Sequence, residues 1–381
     1  MTVSTTGSAI VARAPGKLFV AGEYAVVTPG QPSVLIAVDR YLSVALTESV
    51  DEGSIHSPEY SRMPVRWTRG QDGLTLDRDH HPYDYVIAAI EAAEQLRSDR
   101  GLAPRFFDLR IDSGLDDPSG RKFGLGSSAA VTVATIAAID EFYGFGLGAR
   151  GRYELAMLAT IAVAPNASGG DVAASTYGGW IGYRSPDRER LRAARAASGV
   201  AAVLGSDAWG DAEIVRLAAP ADLDLLVGWT GHPASTERLV SGVSRGTDAA
   251  GDDHTGFLDA SRSCVDDLWA ALAPRSRDHD GDGDAAGARA LGALRRNRRL
   301  LQGLGERTGV TIETERLRIL CDAAERIGAA AKPSGAGGGD CGIVLAPRGA
   351  DVAGMLRTWE TNDIRHLTIG VHPPEGEHHA G

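Results

Sequence analysis

The stretch Lys122-Phe-Gly-Leu-Gly-Ser-Ser-Ala-Ala130 has the residue types of a phosphate cradle. Glycines let the backbone curl around an anion. The apolar run behind it, Ala129 to Tyr143, reads as a long helix whose N-terminal amides and positive dipole end would face that anion. The hydroxyls of Ser127 and Ser128 suit phosphate oxygens or a Mg²⁺ ion. The segment is not a GxxxxGK loop followed by Ser or Thr, and no third glycine makes it a GxGxxG dinucleotide loop. The plain alternative is a glycine-rich turn with serine caps.

Three further segments carry reactive groups. Between Arg13 and Val27, Lys17 follows Pro15-Gly16 at a strand start, placed to reach into a cleft, and Glu23 comes six residues later. Between Ser168 and Gly179, Asp171 precedes small apolar residues, so its carboxylate starts a buried helix. There it would accept or orient the proton of an incoming hydroxyl or phosphate, or simply cap the helix. Between Lys332 and Gly342, Ser334, Gly335, Ala336 and Gly337 open a glycine-rich loop whose amides can approach a ligand closely; a hairpin loop is the alternative. Of 39 basic residues only Lys17, Lys122 and Lys332 are lysine. Each sits in one of these segments, and an ammonium is not interchangeable with a guanidinium.

The elements that must position these groups are mixed. Strands are expected at Leu18–Val20, Ser33–Val38, Tyr41–Thr47, Phe106–Ile111, Leu223–Trp229, Cys341–Leu345 and His366–Val371. Pro15-Gly16 should break a short run at Ile10–Ala14. Helices are expected at Tyr83–Leu96, Ala129–Tyr143, Tyr153–Ala162, Thr236–Ser244, Phe257–Leu272, Ala290–Gly303, Glu315–Gly328 and Val352–Asn362. Gly178-Gly179 turns into a strand. Small residues at Gly199–Asp211 suggest a domain boundary, giving residues 1–205 and 206–375. Arg275–Ala288 reads as a mobile acidic loop, and the tail from Pro373 as disordered. The fold class is α+β with two domains.

Composition excludes several roles. The net charge of −11 over 381 residues argues against a nucleic-acid partner. No apolar run reaches the ~18 residues of a membrane helix, and the N-terminus shows no secretory pattern. Three cysteines without metal-ligand spacing fit a reduced, cytoplasmic setting. Asp278 to Asp284 resembles the start of a calcium loop, but Arg289 stands where its final Glu belongs. The pair His80-His81 has no metal-site spacing.

Taken together and in order, Pro15–Val27, Gly124–Ala130 and Ser334–Gly342 resemble the three motifs of the GHMP kinases (galactokinase, homoserine kinase, mevalonate kinase, phosphomevalonate kinase), over nearly the whole chain. The wording of APGKLFVAGEYAVV, AVDRY, DVAASTYGGW, GWTGHPAST and AKPSGAGGGDCGI is most similar to the branch whose acceptor already bears a phosphate. The resemblance implies an N-terminal domain like ribosomal protein S5 domain 2, a ferredoxin-like C-terminal domain, and an active site between them. It implies direct transfer of the ATP γ-phosphoryl group to 5-phosphomevalonate. Mevalonate or another small alcohol is the alternative acceptor, and a non-catalytic ATP sensor of the same fold a remote one. Asp171 would be catalytic, with Lys17 beside it lowering its pKa or stabilising transferred charge. Lys122 and Gly124, Leu125, Gly126, Ser127, Ser128 and Ala129 would hold the ATP phosphates, with Ser128 on Mg²⁺. Lys17, Glu23, Arg40, Ser334, Gly335, Ala336 and Gly337 would line the acceptor, with Arg13 a further cation, in a monomer or homodimer. Mevalonate kinases carry a glutamate, a Mg²⁺ ligand, where this chain has Thr160. Either another acid replaces it, or ATP and Ser128 hold the metal.

Overall fold

The computed structural model describes residues 9–59, 63–71, 73–78, 81–117, 119–250, 254–274 and 283–376. The first half is built on eight strands: β1 (Ile10–Ala21), β2 (Pro32–Ser49), β3 (Gly53–His56), β4 (Val65–Gly70), β5 (Gly73–Leu76), β6 (Phe106–Ser113), β7 (Trp180–Arg184) and β8 (Glu213–Leu217). They run in the order β5-β4-β3-β6-β2-β7-β8, with β1 also paired to β2. All pairings are antiparallel except β3 with β6. Five helices accompany them: α1 (Asp84–Asp99), α2 (Ser127–Tyr143), α3 (Ala149–Val163), α4 (Gly170–Tyr177) and α5 (Arg188–Val203). Helix α2 packs on β1 and β2, and α4 on β1, β2 and α2.

The second half contains β9 (Leu223–Trp229), α6 (Thr236–Ala250), α7 (His254–Leu272), α8 (Gly283–Thr308), α9 (Glu315–Arg326), β10 (Ala330–Pro333), β11 (Cys341–Pro347), α10 (Val352–Thr361) and β12 (Arg365–Leu367). Its antiparallel sheet has the order β10-β11-β9-β12. With helices between β9 and β10 and between β11 and β12, this is the split β-α-β-β-α-β arrangement expected of a ferredoxin-like domain. Helices α9 and α10 cover it through Leu320, Ala324, Met355 and Trp359. A separate cluster joins Tyr24 and Ala25, just past β1, to Phe257, Leu301 and Ile312 of the second half.

Several expectations are corrected. Pro15-Gly16 does not end a strand. It sits inside β1 as a register shift against β2, a bulge being where a residue without an N–H is tolerated. The strands expected at Ser33–Val38 and Tyr41–Thr47 are one, β2, because Asp39 between them is bonded through its backbone and side chain to Gly370. The segments β3, β4, β5 and β8 are four to six residues long, too short for a pattern to stand out from the surrounding loops. The Arg-rich α5, kinked at Gly199 (φ 80°), lacks a clear apolar stripe. The boundary expected at 205/206 falls ahead of β8, whose pairing with β7 carries the first sheet to Leu217. Of the acidic stretch 275–288, residues 275–282, with most of the calcium-like run, lie outside the described residues, as does His80. Residues 283–288 are not a loop but the first turns of α8, which the helix-favouring alanines around buried Ala286 explain. Of the tail from Pro373, residues 377–381 lie outside the described residues, and residues 373–376 pack on the molecule: next to them the His372 carbonyl accepts from the Gly179 amide, and the Glu375 amide donates to the Tyr177 carbonyl.

A buried ion pair ties the two halves together. Lys332 of β10, 0% exposed, is ion-paired with Glu23, which follows β1. Removing one partner of such a pair leaves an uncompensated buried charge, a loss of about 3–5 kcal/mol. Lys332→Met is expected to lower the unfolding free energy by that amount in urea titration. The double variant Glu23→Leu, Lys332→Met should recover most of it.

Candidate active site

The bulge at Gly16 brings β1 against the loop ahead of α2. A Cβ on Gly16 would lie 2.9 Å from the Leu125 carbonyl oxygen, and the next amide, Lys17 N–H, donates to that oxygen at 2.8 Å. Gly124 and Gly126 both take left-handed φ, 83° and 82°, which glycine adopts without steric cost. The loop then enters α2, whose first intrahelical bond is Ala130 N–H to Gly126 O. The amides of Ser127, Ser128 and Ala129 precede it and so lack helical partners. Among the described residues the hydroxyls of Ser127 and Ser128 have no hydrogen-bond partner either, and Ser128 is exposed. The result is a concentration of free donors at a positive helix end, suited to phosphate.

Lys17 lies across this loop. Its side chain packs on Gly126, and its ammonium, in a residue only 9% exposed, donates to Gly124 O at 3.4 Å. Lys122 is exposed at the loop's entrance. Asp171 stands in the first turn of α4, behind left-handed Gly169 (φ 78°), and its Oδ1 accepts the Val172 amide at 3.0 Å. It is therefore not the N-cap. Beneath α4, the Tyr153 and Tyr183 hydroxyls meet at 3.0 Å. Burial first, and then nearby charges including Asp171, push both phenols up. Lys17 and Asp171 form no ion pair with each other; the packing of α4 on β1 and α2 brings their elements together.

The glycine-rich loop after β10 is bound to β1. Ser334 Oγ accepts the Phe19 amide and donates to the Phe19 carbonyl, each at 2.9 Å, so its hydroxyl is already occupied. The Gly335 amide donates to Glu23 Oε1 at 3.3 Å and Tyr24 OH to the Ala336 carbonyl at 2.5 Å. Gly337 (φ 71°) lies against the Ile312 carbonyl. Glu23, expected at the acceptor, is thus engaged by Lys332 and Gly335, while its buried Oε2 has no partner. Arg40 stands over the Phe123 ring at 5.6 Å, and Arg13 is exposed on β1. Cys341 donates to Phe123 O at 3.1 Å; burial pushes its thiol up, consistent with a packing role. Thr160 is buried, and its hydroxyl donates to Ala156 O within α3 at 2.8 Å.

Two features escaped sequence reasoning. Asp340, with φ 47°, packs its side chain on Gly124: a Cβ there would lie 2.5 Å from Asp340 Cγ. A non-glycine residue at the end of a glycine run was the available signal. A hollow of about 300 Å³ opens beside it, lined by Thr230, His232, Thr314, Glu315, Arg316 and Gly338. Its residues come from three distant segments, which no local pattern joins.

Residues 84–179 match the model of the GHMP kinases N terminal domain and residues 285–363 that of the GHMP kinases C terminal. The chain is 43% identical to the phosphomevalonate kinase of Streptomyces sp. (strain CL190), over 96% of this chain and 98% of that one. It superposes on a Listeria innocua protein with a TM-score of 0.87 at 33% identity, covering 97% and 99% of the two chains. The Streptococcus pneumoniae phosphomevalonate kinase in complex with phosphomevalonate and AMPPNP gives a TM-score of 0.81 at 27% identity, covering 95% and 99%. The molecule thus has the two-domain fold of these kinases.

Gly126→Ala tests the loop. A Cβ there would lie 2.9 Å from Lys17 Cε at φ 82°, and left-handed backbone costs a non-glycine residue roughly 1–2 kcal/mol. About tenfold weaker ATP binding is expected by fluorescence titration, with the melting temperature lowered by only a few degrees.

Proposed function

The chain belongs to the GHMP kinase family, and on that premise we propose that it transfers the γ-phosphoryl group of ATP to 5-phosphomevalonate, giving ADP and diphosphomevalonate. The observation that carries the nucleotide half is the start of α2, where three amides without helical partners and two unpartnered hydroxyls face outward beside the Lys17 ammonium. For the acceptor, support comes from a relative of that name aligned over nearly the whole chain, and from Thr160, which is unlike the glutamate of mevalonate kinases. A cytoplasmic setting belongs to the same reading.

In this reading the Ser127–Ala129 amides take the β- and γ-phosphates, and glycines at 124 and 126 let the backbone close on them. Lys17 neutralises charge on the transferred group, and Lys122 meets the phosphates from the loop's entrance. Asp171 orients the acceptor's phosphate and takes any proton it carries, as one of that phosphate's oxygens bonds to the γ-phosphorus and the bond from the γ-phosphorus to the ADP oxygen breaks. Catalysis of this kind is mostly positioning and charge stabilisation. Among the described residues no group of three or more acidic, His or Cys side chains could hold a metal alone. The residues present fit a Mg²⁺ that arrives with the nucleotide, with the free hydroxyl of Ser128 as its protein ligand. When bound, that ion would neutralise phosphate charge. Arg40, Arg13 and Lys17 are the cations offered to the acceptor's own phosphate. Glu23 and Ser334 act on the acceptor by fixing the Gly335–Gly337 loop around it.

ADP release with Mg·ATP, measured against phosphomevalonate, mevalonate, diphosphomevalonate, homoserine and galactose, is expected only with phosphomevalonate. Turnover confined to another acceptor would overturn the substrate assignment. Asp171→Asn is expected to lower kcat by two orders of magnitude or more, within the range for removing a general base, while ATP affinity stays within about threefold. Full activity of that variant would remove Asp171 from its role.

A further inference from the structure

Asp340 is the residue of the 332–342 loop that unites charge, a left-handed backbone and contact with the phosphate loop. Its conformation is held from three sides. Its N–H donates to His232 O at 2.8 Å, its carbonyl accepts from Thr230 N–H at 3.0 Å, and its Oδ1 accepts from Ala234 N–H at 3.0 Å. The second oxygen turns to the phosphate loop, 2.7 Å from where a Cβ on Gly124 would stand. The carbonyl of that same Gly124 accepts the Lys17 ammonium at 3.4 Å, and Lys122 lies two residues ahead. Burial pushes the Asp340 carboxyl up, while the Ala234 amide and the charges of Lys17 and Lys122 pull against it. Lys122 also acts on Asp116, at the other end of its loop.

A carboxylate against a phosphate loop repels the anion the loop binds. Cations beside it change that balance, because each negative charge fixes an ammonium where the phosphates need it. We propose that Asp340 is a positioning residue for phosphoryl transfer: seated on Gly124 from the second half of the molecule, its carboxylate holds the Lys17 ammonium, bonded to the carbonyl of that same Gly124, over the phosphate loop and attracts the exposed Lys122 toward it. The role rests on the kinase reading above. It gives the second half, through the Thr230–Ala234 segment that grips Asp340, a direct electrostatic hand in a loop that belongs to the first.

Asp340→Asn and Asp340→Gly test it. Asparagine and glycine are the residues that best tolerate left-handed backbone, so both variants keep the turn; asparagine removes only the charge and keeps an oxygen for the Ala234 amide, whereas glycine removes the whole side chain. The expected result is a split. ADP should bind about three- to tenfold tighter in equilibrium titration, because a like charge is gone, while kcat falls ten- to a hundredfold because the Lys17 ammonium is no longer held. In a Lys122→Met background, Asp340→Asn should cost less than it does alone. Unchanged kcat and unchanged affinity would overturn the proposal. So would weaker binding of Mg·ATP relative to free ATP, which would make Asp340 a metal ligand, or unfolding of both variants, which would make it structural. The ADP arm needs no acceptor, so failure of the kinase reading is distinguishable from failure of this inference.

Discussion

A single buried ion pair sets the geometry on which the site depends. Glu23 and Lys332 lie 309 positions apart in sequence and meet in the interior, where neither is more than 3% exposed. Such a pair adds little net stability, since desolvating both charges offsets most of their attraction. What it contributes is registration. The ammonium also donates to Pro333 O at 2.6 Å, and the same carboxylate takes the Gly335 amide, so the start of the glycine-rich loop is fixed to the end of β1. With Ser334 bonded in both directions to Phe19, that loop cannot shift without breaking contacts that water does not replace.

Around this tie the molecule uses missing side chains as much as present ones. Gly16 lets β1 approach Leu125, Gly126 lets Lys17 cross the loop, and Gly124 receives Asp340. Each close approach converges on the start of α2. The three lysines divide their work along this line: Lys332 is wholly buried and structural, Lys17 is nearly buried with its ammonium on the loop, and Lys122 is exposed at its entrance.

The chemistry was legible in the sequence to the extent that it is local. A glycine-rich turn running into an apolar helix, Lys17 behind Pro15-Gly16 and Asp171 ahead of small residues all report on their own few neighbours. The long elements were equally readable: β9 falls where alternation and burial put it, and α1 to within a few residues. What a side chain does with a distant partner was not. Glu23 reads as a cleft carboxylate until Lys332 is beside it. Asp340 reads as one polar residue in a loop until Gly124 lies against it. β8 cannot be assigned to the first sheet from its own residues, because only its pairing with β7 shows where it belongs. The tail from Pro373 is polar and proline-rich, yet it packs, because Glu375 meets the Tyr177 carbonyl of α4 and the guanidinium groups of Arg152 and Arg216, partners that composition does not reveal.

That packed tail bears on how the protein comes into being on the ribosome. Residues 371–375 lie over the end of the helix that carries Asp171: Pro373 covers Gly178, Pro374 covers Gly179, and Val371 bridges to Val38. The first sheet can start to form early, as N-terminal segments generally do during synthesis. The cover over Gly178-Gly179, however, is translated long after the elements it closes. A nascent chain must therefore carry an unfinished α4 edge, with its apolar glycine turn open, until residue 375 has cleared the exit tunnel.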